Sequence, residues 1–240
     1  MKIGVISDVH SNLAALEAVL RELDRRSIER IICLGDVIGY GPQPNECIQL
    51  IKSAAEVVLL GNHDAMALTK LKTSQVNPYA LEAMRWTKKE ISEDHLNWLR
   101  TLPYLHSEGQ FLFVHASPKS PSDWKYIGRL EEVAEAIDYF SEKVCMIGHT
   151  HRPFFAGIDQ QGALFFDSRT KIRLDDFQKL LINAGSVGQP RDYDPRAAAL
   201  LIEEGSIELL RVEYDVQKTQ NAMKKLGLPD YLSRRLQEGS

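Results

Sequence analysis

Short apolar runs recur along the chain, and each ends in a polar cluster. Residues 2–7 (KIGVIS) stop at Asp8 and His10. Residues 30–34 (RIICL) stop at Gly35-Asp36, and residues 56–60 (EVVLL) stop at Gly61-Asn62-His63-Asp64. Runs of this length, rich in Ile, Val and Leu and closed by turn residues, predict buried β-strands. After the first, Leu13, Leu16, Leu20 and Leu23 recur at helical spacing, with Ser11 or Asn12 placed to cap. After the second comes a Gly- and Pro-punctuated loop over 39–44, and then Asn45 is placed to cap a helix bearing Ile48, Leu50 and Ile51. Strand, polar loop and helix in alternation predict βα units and a largely parallel sheet.

Residues 65–102 read as mainly helical, with Leu81, Met84, Trp86, Ile91, Leu96 and Leu99 available for a buried face. Residues 111–114 (FLFV) and 143–147 (KVCMI) predict further buried strands, leading into His115 and into Gly148-His149-Thr150-His151. The pattern then changes. A hairpin is predicted over 154–167, turning at Asp159-Gln160-Gln161-Gly162; a strand at 179–183; and a second hairpin over 197–214, turning at Glu203-Glu204-Gly205-Ser206. Two sheets face to face with helices outside would bury both kinds of strand, an α/β sandwich. The tail, 217–237, reads as one or two short helices whose expected part is to close the core, with covering the site or forming an interface as alternatives. No repeat, low-complexity tract or linker divides residues 1–240, so one domain is expected.

With 44% hydrophobic and 26% charged residues, the 240-residue chain has the composition of a soluble globular protein and is long enough to bury a core without a staple. Lys and Arg number 29 against 33 Asp and Glu, a net charge of −4, which argues against long nucleic acid as a partner. Cys33, Cys47 and Cys145 form no C-x-x-C pair, so neither a thiolate zinc site nor a disulfide framework is expected. The first apolar run is too short for a signal peptide or a membrane span, which makes a cytoplasmic location and no membrane partner the expectation.

Histidine carries the chemical information. Of seven, five stand at predicted strand ends: His10, His63, His115, His149 and His151. Asp8, Asp36, Asn62 and Asp64 occupy equivalent positions. The ends of parallel strands converge on one sheet edge, where ligands bind. Each piece alone reads as a cap or a core histidine. His149 and His151, at i and i+2, would point to one side of an extended segment. The ordered set Asp-x-His, Gly-Asp, Gly-Asn-His-Asp, His and Gly-His-x-His predicts a metal site instead. Imidazole and carboxylate donors without thiolates suit Mn²⁺, Fe, Zn²⁺ or Ni²⁺.

On these motifs the sequence resembles the calcineurin-like metallophosphoesterase superfamily, and within it the small bacterial and archaeal phosphoesterases, phosphodiesterases among them. The resemblance runs from Met1 to about Tyr214. It implies two mixed β-sheets packed as a sandwich flanked by helices, a four-layer fold with a helical insertion at about 65–102. It also implies two divalent transition-metal ions at the sheet edge, Mn first, with Fe, Zn or Ni as alternatives. Carried over residue by residue, Asp8, His10 and His151 bind the first metal, Asn62, His115 and His149 the second, and Asp36 bridges them. Two such ions share a water and lower its pKa, so a bridging hydroxide can attack phosphorus without a protein nucleophile. His63 matches the family's catalytic histidine, a general acid or a donor to developing charge. Gly148, lacking a Cβ, lets the backbone pass close to the metals.

Two departures matter. Many relatives read Gly-Asp-x-x-Asp-Arg-Gly where residues 35–41 read Gly-Asp-Val-Ile-Gly-Tyr-Gly. The Asp that helps orient the catalytic histidine is Gly39 here, which leaves Asp64 as a candidate support for His63. The Arg that holds phosphate in protein Ser/Thr phosphatases is Tyr40, which lowers a phosphoprotein phosphatase among the alternatives. Candidate phosphate donors are Asn12, Arg152 and Arg191. The expected function is hydrolysis of a small phosphorylated substrate, a phosphodiester or phosphomonoester, nucleotides included. A dinucleoside polyphosphate hydrolase is the nearest alternative. A metal-binding scaffold subunit is the non-enzyme alternative, disfavoured because His63 and all seven candidate ligands are present. Assembly into a homo-oligomer stays open at this level.

Overall fold

The computed structural model describes residues 2–69 and 77–240. In chain order its first elements are β1 (Ile3–Ile6), α1 (Leu13–Arg25), β2 (Arg30–Cys33), α2 (Pro44–Ala54), β3 (Val57–Val58), α3 (Asn62–Leu68), α4 (Pro78–Glu90) and α5 (Glu93–Leu99). Then follow β4 (Leu105–Glu108), β5 (Phe111–Val114), α6 (Leu130–Ala136), β6 (Val144–Ile147), β7 (Phe154–Asp159), β8 (Leu164–Asp167), β9 (Lys171–Arg173) and β10 (Phe177–Asn183). The last are β11 (Ala197–Glu203), β12 (Ser206–Val212), α7 (Val216–Lys225) and α8 (Asp230–Glu238).

Among the described residues the strands form two six-stranded mixed sheets, ordered β3-β2-β1-β11-β12-β9 and β4-β5-β6-β10-β7-β8. The early strands β1, β2 and β3 pair in parallel, as do β5 with β6 and β6 with β10. The two expected hairpins are present as β7–β8 and β11–β12. The second turns at Glu204 and Gly205, both at positive φ (47° and 75°), the geometry that matches the twist of the flanking strands.

Side-chain alternation builds the layers. Ile3 and Val5 of β1, Leu200 and Ile202 of β11, and Leu180 and Ile182 of β10 meet Phe113, Met146 and Phe155 in the core between the sheets. The opposite faces pack outward: Ile6, Ala197, Ala199 and Leu201 against Leu16, Val19 and Leu23 of α1, and Cys145, Ile147 and Leu181 against Val133 and Ala136 of α6. Strands buried on both faces explain the unbroken apolar runs in the sequence. The tail helices α7 and α8 bring Met223, Leu228, Leu232 and Leu236 onto Ala83 of α4, beside Tyr40. No helix among the described residues is long and apolar enough to cross a membrane.

Some local expectations need correction. The helix after the 39–44 loop begins at Pro44 with Gln43 as its N-cap, because Pro is preset for the first helical position. Asn45 instead donates to the Glu90 carbonyl (2.8 Å) and accepts from Ser92 N (3.0 Å), tying α2 to the α4–α5 junction. The third strand has only two residues, and Asn62 and His63 open α3 rather than standing in a loop. Within the expected helical stretch 65–102, residues 70–76 lie outside the described residues; the rest carries α3, α4 and α5.

Candidate metal centre

Parallel pairing sends the C-terminal ends of β1, β2, β3, β5, β6 and β10 to one edge. The loops leaving them carry Asp8 and His10, Asp36, Asn62 and His63, His115, His149 and His151, and residues 184–191. Backbone bonds lash these loops together. Asp8 N donates to Gly35 O (3.0 Å), and Gly188 N donates to Asp8 O (2.9 Å). Asn183 at the end of β10 donates to the Gly148 carbonyl (2.6 Å).

The backbone at the donors is strained in a shared way. Asp8, His10, Asp36, His149 and His151 all sit at positive φ, between 48° and 66°. A non-glycine residue there costs about 1–2 kcal/mol, and such strain collects where a site over-determines the conformation. His149 and His151 are therefore not on an extended segment as their spacing suggested. They turn into two different donor groups.

Three sets of donors each bring ligand atoms within 4.8 Å of one another: Asp8, His10 and His151; His10, Asp36 and His63; Asp36, His115 and His149. Asn62, an amide, joins the last set through Oδ1, 3.1 Å from His115 Nε2. Backbone carbonyls orient the rings. Nδ1 of His10 faces Ile38 O (3.1 Å), Nδ1 of His115 faces Leu34 O (3.0 Å), and Nδ1 of His151 faces Gln189 O (2.6 Å). His149 is the reverse, with Nε2 facing Trp124 O (2.8 Å). Each carbonyl accepts the ring N–H, so the other nitrogen is the one turned into the site.

These inward atoms fit cations. Nε2 of His10 and Nε2 of His151 lie 3.0 Å apart, two lone pairs face to face. Asp8 Oδ1 is buried with no hydrogen-bond donor, meeting only His151 Nε2 at 3.2 Å and His10 Nε2 at 3.6 Å. Asp36 Oδ2 lies 3.6 Å from His10 Nε2 and 3.5 Å from His115 Nε2, between the two groups. No Lys or Arg among the described residues pairs with either carboxylate, and buried acids without a countercharge are costly. Burial works to raise the Asp8 carboxyl, but His151 and His10 outweigh it and hold it well below the usual carboxylate range. Burial works to lower His115, but Asp36 overrides it and lifts the imidazole to about 9. Burial pushes His149 down to about 4. His149 is thus neutral, whereas His115 carries a proton that a bound cation would displace.

At Gly148 the loop leaving β6 of the second sheet passes close to the loop leaving β1 of the first. A Cβ there would lie 2.0 Å from Ser7 Oγ and 2.5 Å from Asp8 Oδ2. Gly148→Ala is expected to lower the melting temperature by roughly 5–10 °C and to weaken metal retention by displacing Asp8. Thermal unfolding and metal analysis of the purified variant check both; native values for both would show that the close approach is dispensable.

His63 is held without the acid its relatives use. Its backbone N–H donates to Asp36 Oδ1 (2.8 Å), and its ring lies 4.5 Å from the Tyr40 ring and 4.9 Å from that of His10. Its Nδ1 is buried with no hydrogen-bond partner. A Cβ on Gly39, which has φ +98°, would stand 2.6 Å from that Nδ1, so the ring occupies the space of the missing side chain. Burial pushes His63 down to about 3, which leaves a neutral N–H donor. Asp64 does not support it. Its carboxylate accepts from the backbone N–H groups of Gly61 (3.1 Å), Val37 (3.3 Å) and Ile38 (3.2 Å), capping α3 and fixing the loop that carries Asp36.

A cavity of about 980 Å³ opens beside the donors, with Asn62, His63 and His149 in its wall. Of the candidate phosphate donors, Arg191 lines it. Its Nη2 donates to Tyr40 Oη (3.2 Å) and Gln189 Oε1 (2.9 Å), while its Nε is buried without a partner. Asn12 and Arg152 are not among the residues lining it. Asn12 is the N-cap of α1: its oxygen accepts from Ala15 N (3.2 Å) and Thr219 Oγ1 (2.8 Å), and its amide donates to Gly188 O (2.9 Å). Arg152 is exposed and donates to the Arg191 carbonyl (2.8 Å), steadying that loop from outside. Sequence reasoning missed Tyr40 as a wall, the aromatic residues Tyr104, Trp124 and Tyr126, and Leu232 and Arg235 from α8. Only Asn183, an amide closing an apolar strand, left a readable signal.

Comparison with known proteins follows the same lines. A family model described as the calcineurin-like phosphoesterase superfamily domain matches residues 1–205. An uncharacterized protein of Methanocaldococcus jannaschii is 40% identical over 240 residues, covering 98% of this chain and 96% of that one. The crystal structure of a metallophosphoesterase from Sphaerobacter thermophilus superposes with a TM-score of 0.88 at 37% identity, covering 100% of this chain and 99% of that one. A symmetrical bis(5′-nucleosyl)-tetraphosphatase of Methylococcus capsulatus is 33% identical over 126 residues, 48% of this chain and 43% of that enzyme.

Proposed function

The chain belongs to the calcineurin-like phosphoesterase superfamily, and from that premise we propose that it is a dinuclear-metal-dependent phosphoesterase acting on a small phosphorylated substrate. The observation that carries the reading is the placement of Asp36 Oδ2 between two buried groups of donors, 3.6 Å from His10 Nε2 and 3.5 Å from His115 Nε2.

Asp8, His10 and His151 would hold one divalent cation, Asn62, His115 and His149 the other, and Asp36 both. Such a pair supplies Lewis acidity and an activated water at neutral pH. The donors contain no thiolate, which suits Mn²⁺, Fe, Zn²⁺ or Ni²⁺, and the family resemblance puts Mn²⁺ first among them. The chain's own residues do the rest. The unpartnered Nε of Arg191 binds a phosphoryl oxygen, and Tyr40 Oη fixes that guanidinium from the position where relatives carry arginine. His63 donates its N–H to the departing oxygen. The carbonyls of Ile38, Leu34 and Gln189 keep the ligand rings turned inward through the reaction.

Hydrolysis of a dinucleoside polyphosphate is a second reading, favoured by the stretch shared with the tetraphosphatase. A scaffold role is disfavoured, since both donor groups and His63 are in place. Stripping the purified protein with a chelator should abolish hydrolysis of aryl phosphate esters, and Mn²⁺ should restore it. Comparing an aryl diester with an aryl monoester sets the ester preference. Two bound metal equivalents with no turnover on a broad panel of mono- and diesters would sink the enzyme reading and favour the scaffold.

A further inference from the structure

The tail helix α8 does more than close the core. Its Leu232 and Arg235, one turn apart, line the same cavity as His63 and Arg191. Leu228, Leu232 and Leu236 anchor the helix against Ala83 and Tyr40, so Arg235 is delivered from a packed element. Its Nε donates to the Ser240 carbonyl and its Cζ lies 5.5 Å from the Tyr231 ring centroid. Among the described residues its two Nη groups have no hydrogen-bond partner, and no Asp or Glu side chain pairs with Arg235 or Arg191. The wall holds one carboxylate beyond the metal donors, Asp123, and it pairs with neither.

Two guanidinium groups in one cavity repel each other unless anions lie between them. Burial, and then the like charge of Arg191, lower the Arg235 guanidinium below its usual value. A surface arginine without a ligand would turn to water or to an acid; this one is half-buried beside a second cation. One phosphoryl group at the metal donors accounts for Arg191. It leaves the two Nη groups of Arg235, whose Nε is taken by Ser240, without an acceptor.

We propose that Arg235 of α8 is a specificity-determining residue that binds a second phosphoryl group linked to the one held at the metal donors and Arg191, so that the cavity takes phosphoanhydride-bearing ligands of the nucleoside diphosphate class. This rests on the phosphoesterase reading for the place of the first phosphoryl group. Tyr104, Trp124 and Tyr126 line the same cavity and offer flat surfaces to the organic part of such a ligand. The volume, about 980 Å³, is ample for it.

The test is calorimetric titration of the Mn²⁺-loaded protein with ADP and with AMP, which share the nucleoside and differ in the second phosphate. Native protein is expected to bind ADP more tightly than AMP. Arg235→Ala is expected to weaken ADP about tenfold or more, the size of one charge-assisted hydrogen bond, while AMP changes much less. Arg235→Lys should recover part of the preference. A merely structural arginine would weaken both ligands equally and lower the melting temperature. Equal losses, or no loss for ADP, overturn the proposal. Turnover of the aryl esters is read on the same native preparation. Absence of turnover with a selective loss of ADP binding overturns the phosphoesterase reading and keeps the subsite; turnover without that selective loss does the reverse.

Discussion

Asp36→Asn is expected to retain fewer than two metal equivalents and to lose turnover by about a thousandfold or more, roughly 4 kcal/mol of transition-state stabilisation. The substitution is nearly isosteric. An amide oxygen in place of Oδ1 still accepts from His63 N–H, now at 2.8 Å, so α3 keeps its start. What is lost is charge at Oδ2, which lies 3.6 Å from His10 Nε2 and 3.5 Å from His115 Nε2. Asp36 is the acid common to two of the three donor sets, and a neutral side chain cannot offset the repulsion of two cations held close together. Metal content after gel filtration and kcat on an aryl ester are the measurements. Two retained equivalents with kcat within tenfold of native would remove Asp36 from the shared position.

The inner strands were legible because they are buried on both faces, so that RIIC, VCMI and FLFV stand out as unbroken apolar stretches. Edge strands give no such signal. β4 reads Leu-His-Ser-Glu with no residue fully buried, and β9 reads Lys-Ile-Arg with only Ile172 buried; both are strands only because a neighbour supplies hydrogen bonds. The helix α6 escaped for a related reason: it buries only Val133 and Ala136. At Asn62 the apolar run EVVLL hid a helix start. Asp64, two residues on, closes a capping box with the Gly61 backbone, and that competes with strand continuation.

The donors were legible from their order, since parallel strands oblige their ends to meet. Their partition between two metals came from the resemblance; the structure brings Asp8, His10 and His151 together, and Asp36, His115 and His149, with a third set that joins His10 and Asp36 to His63. The rest of the site depends on contacts no local pattern encodes. Tyr40 and Arg191 are 151 positions apart and meet through one hydrogen bond of 3.2 Å. Asn12 illustrates the converse. A polar residue near the motif looked like a phosphate donor, yet a helix start needs its oxygen and the 185–190 loop needs its amide. The tail read as core closure from its leucines, which is what Leu228, Leu232 and Leu236 do, while Arg235 on the same helix reaches the cavity.

His63→Ala tests the donor role most directly. The variant should keep both metal equivalents, because the remaining donors and the carbonyls that orient them are untouched. Its kcat should fall about 10²–10⁴-fold on an alkyl phosphate ester, whose departing oxygen gathers the charge that the neutral N–H of His63 would bond. On a nitrophenyl ester the fall should be much smaller, since that oxygen leaves as a stable anion. Restoring the acid that relatives carry is not expected to help: a Cβ at position 39 would press to 2.6 Å from His63 Nδ1, on a backbone at φ +98° that L-residues rarely adopt. In this chain the ring is positioned by packing against Tyr40 and His10 and by the Asp36 bond to its backbone; Nδ1 is buried against Gly39, and Nε2 is left for the substrate. A loss that is equal for both leaving groups, or that comes with loss of metal, would assign His63 to holding the centre together rather than to the departing oxygen.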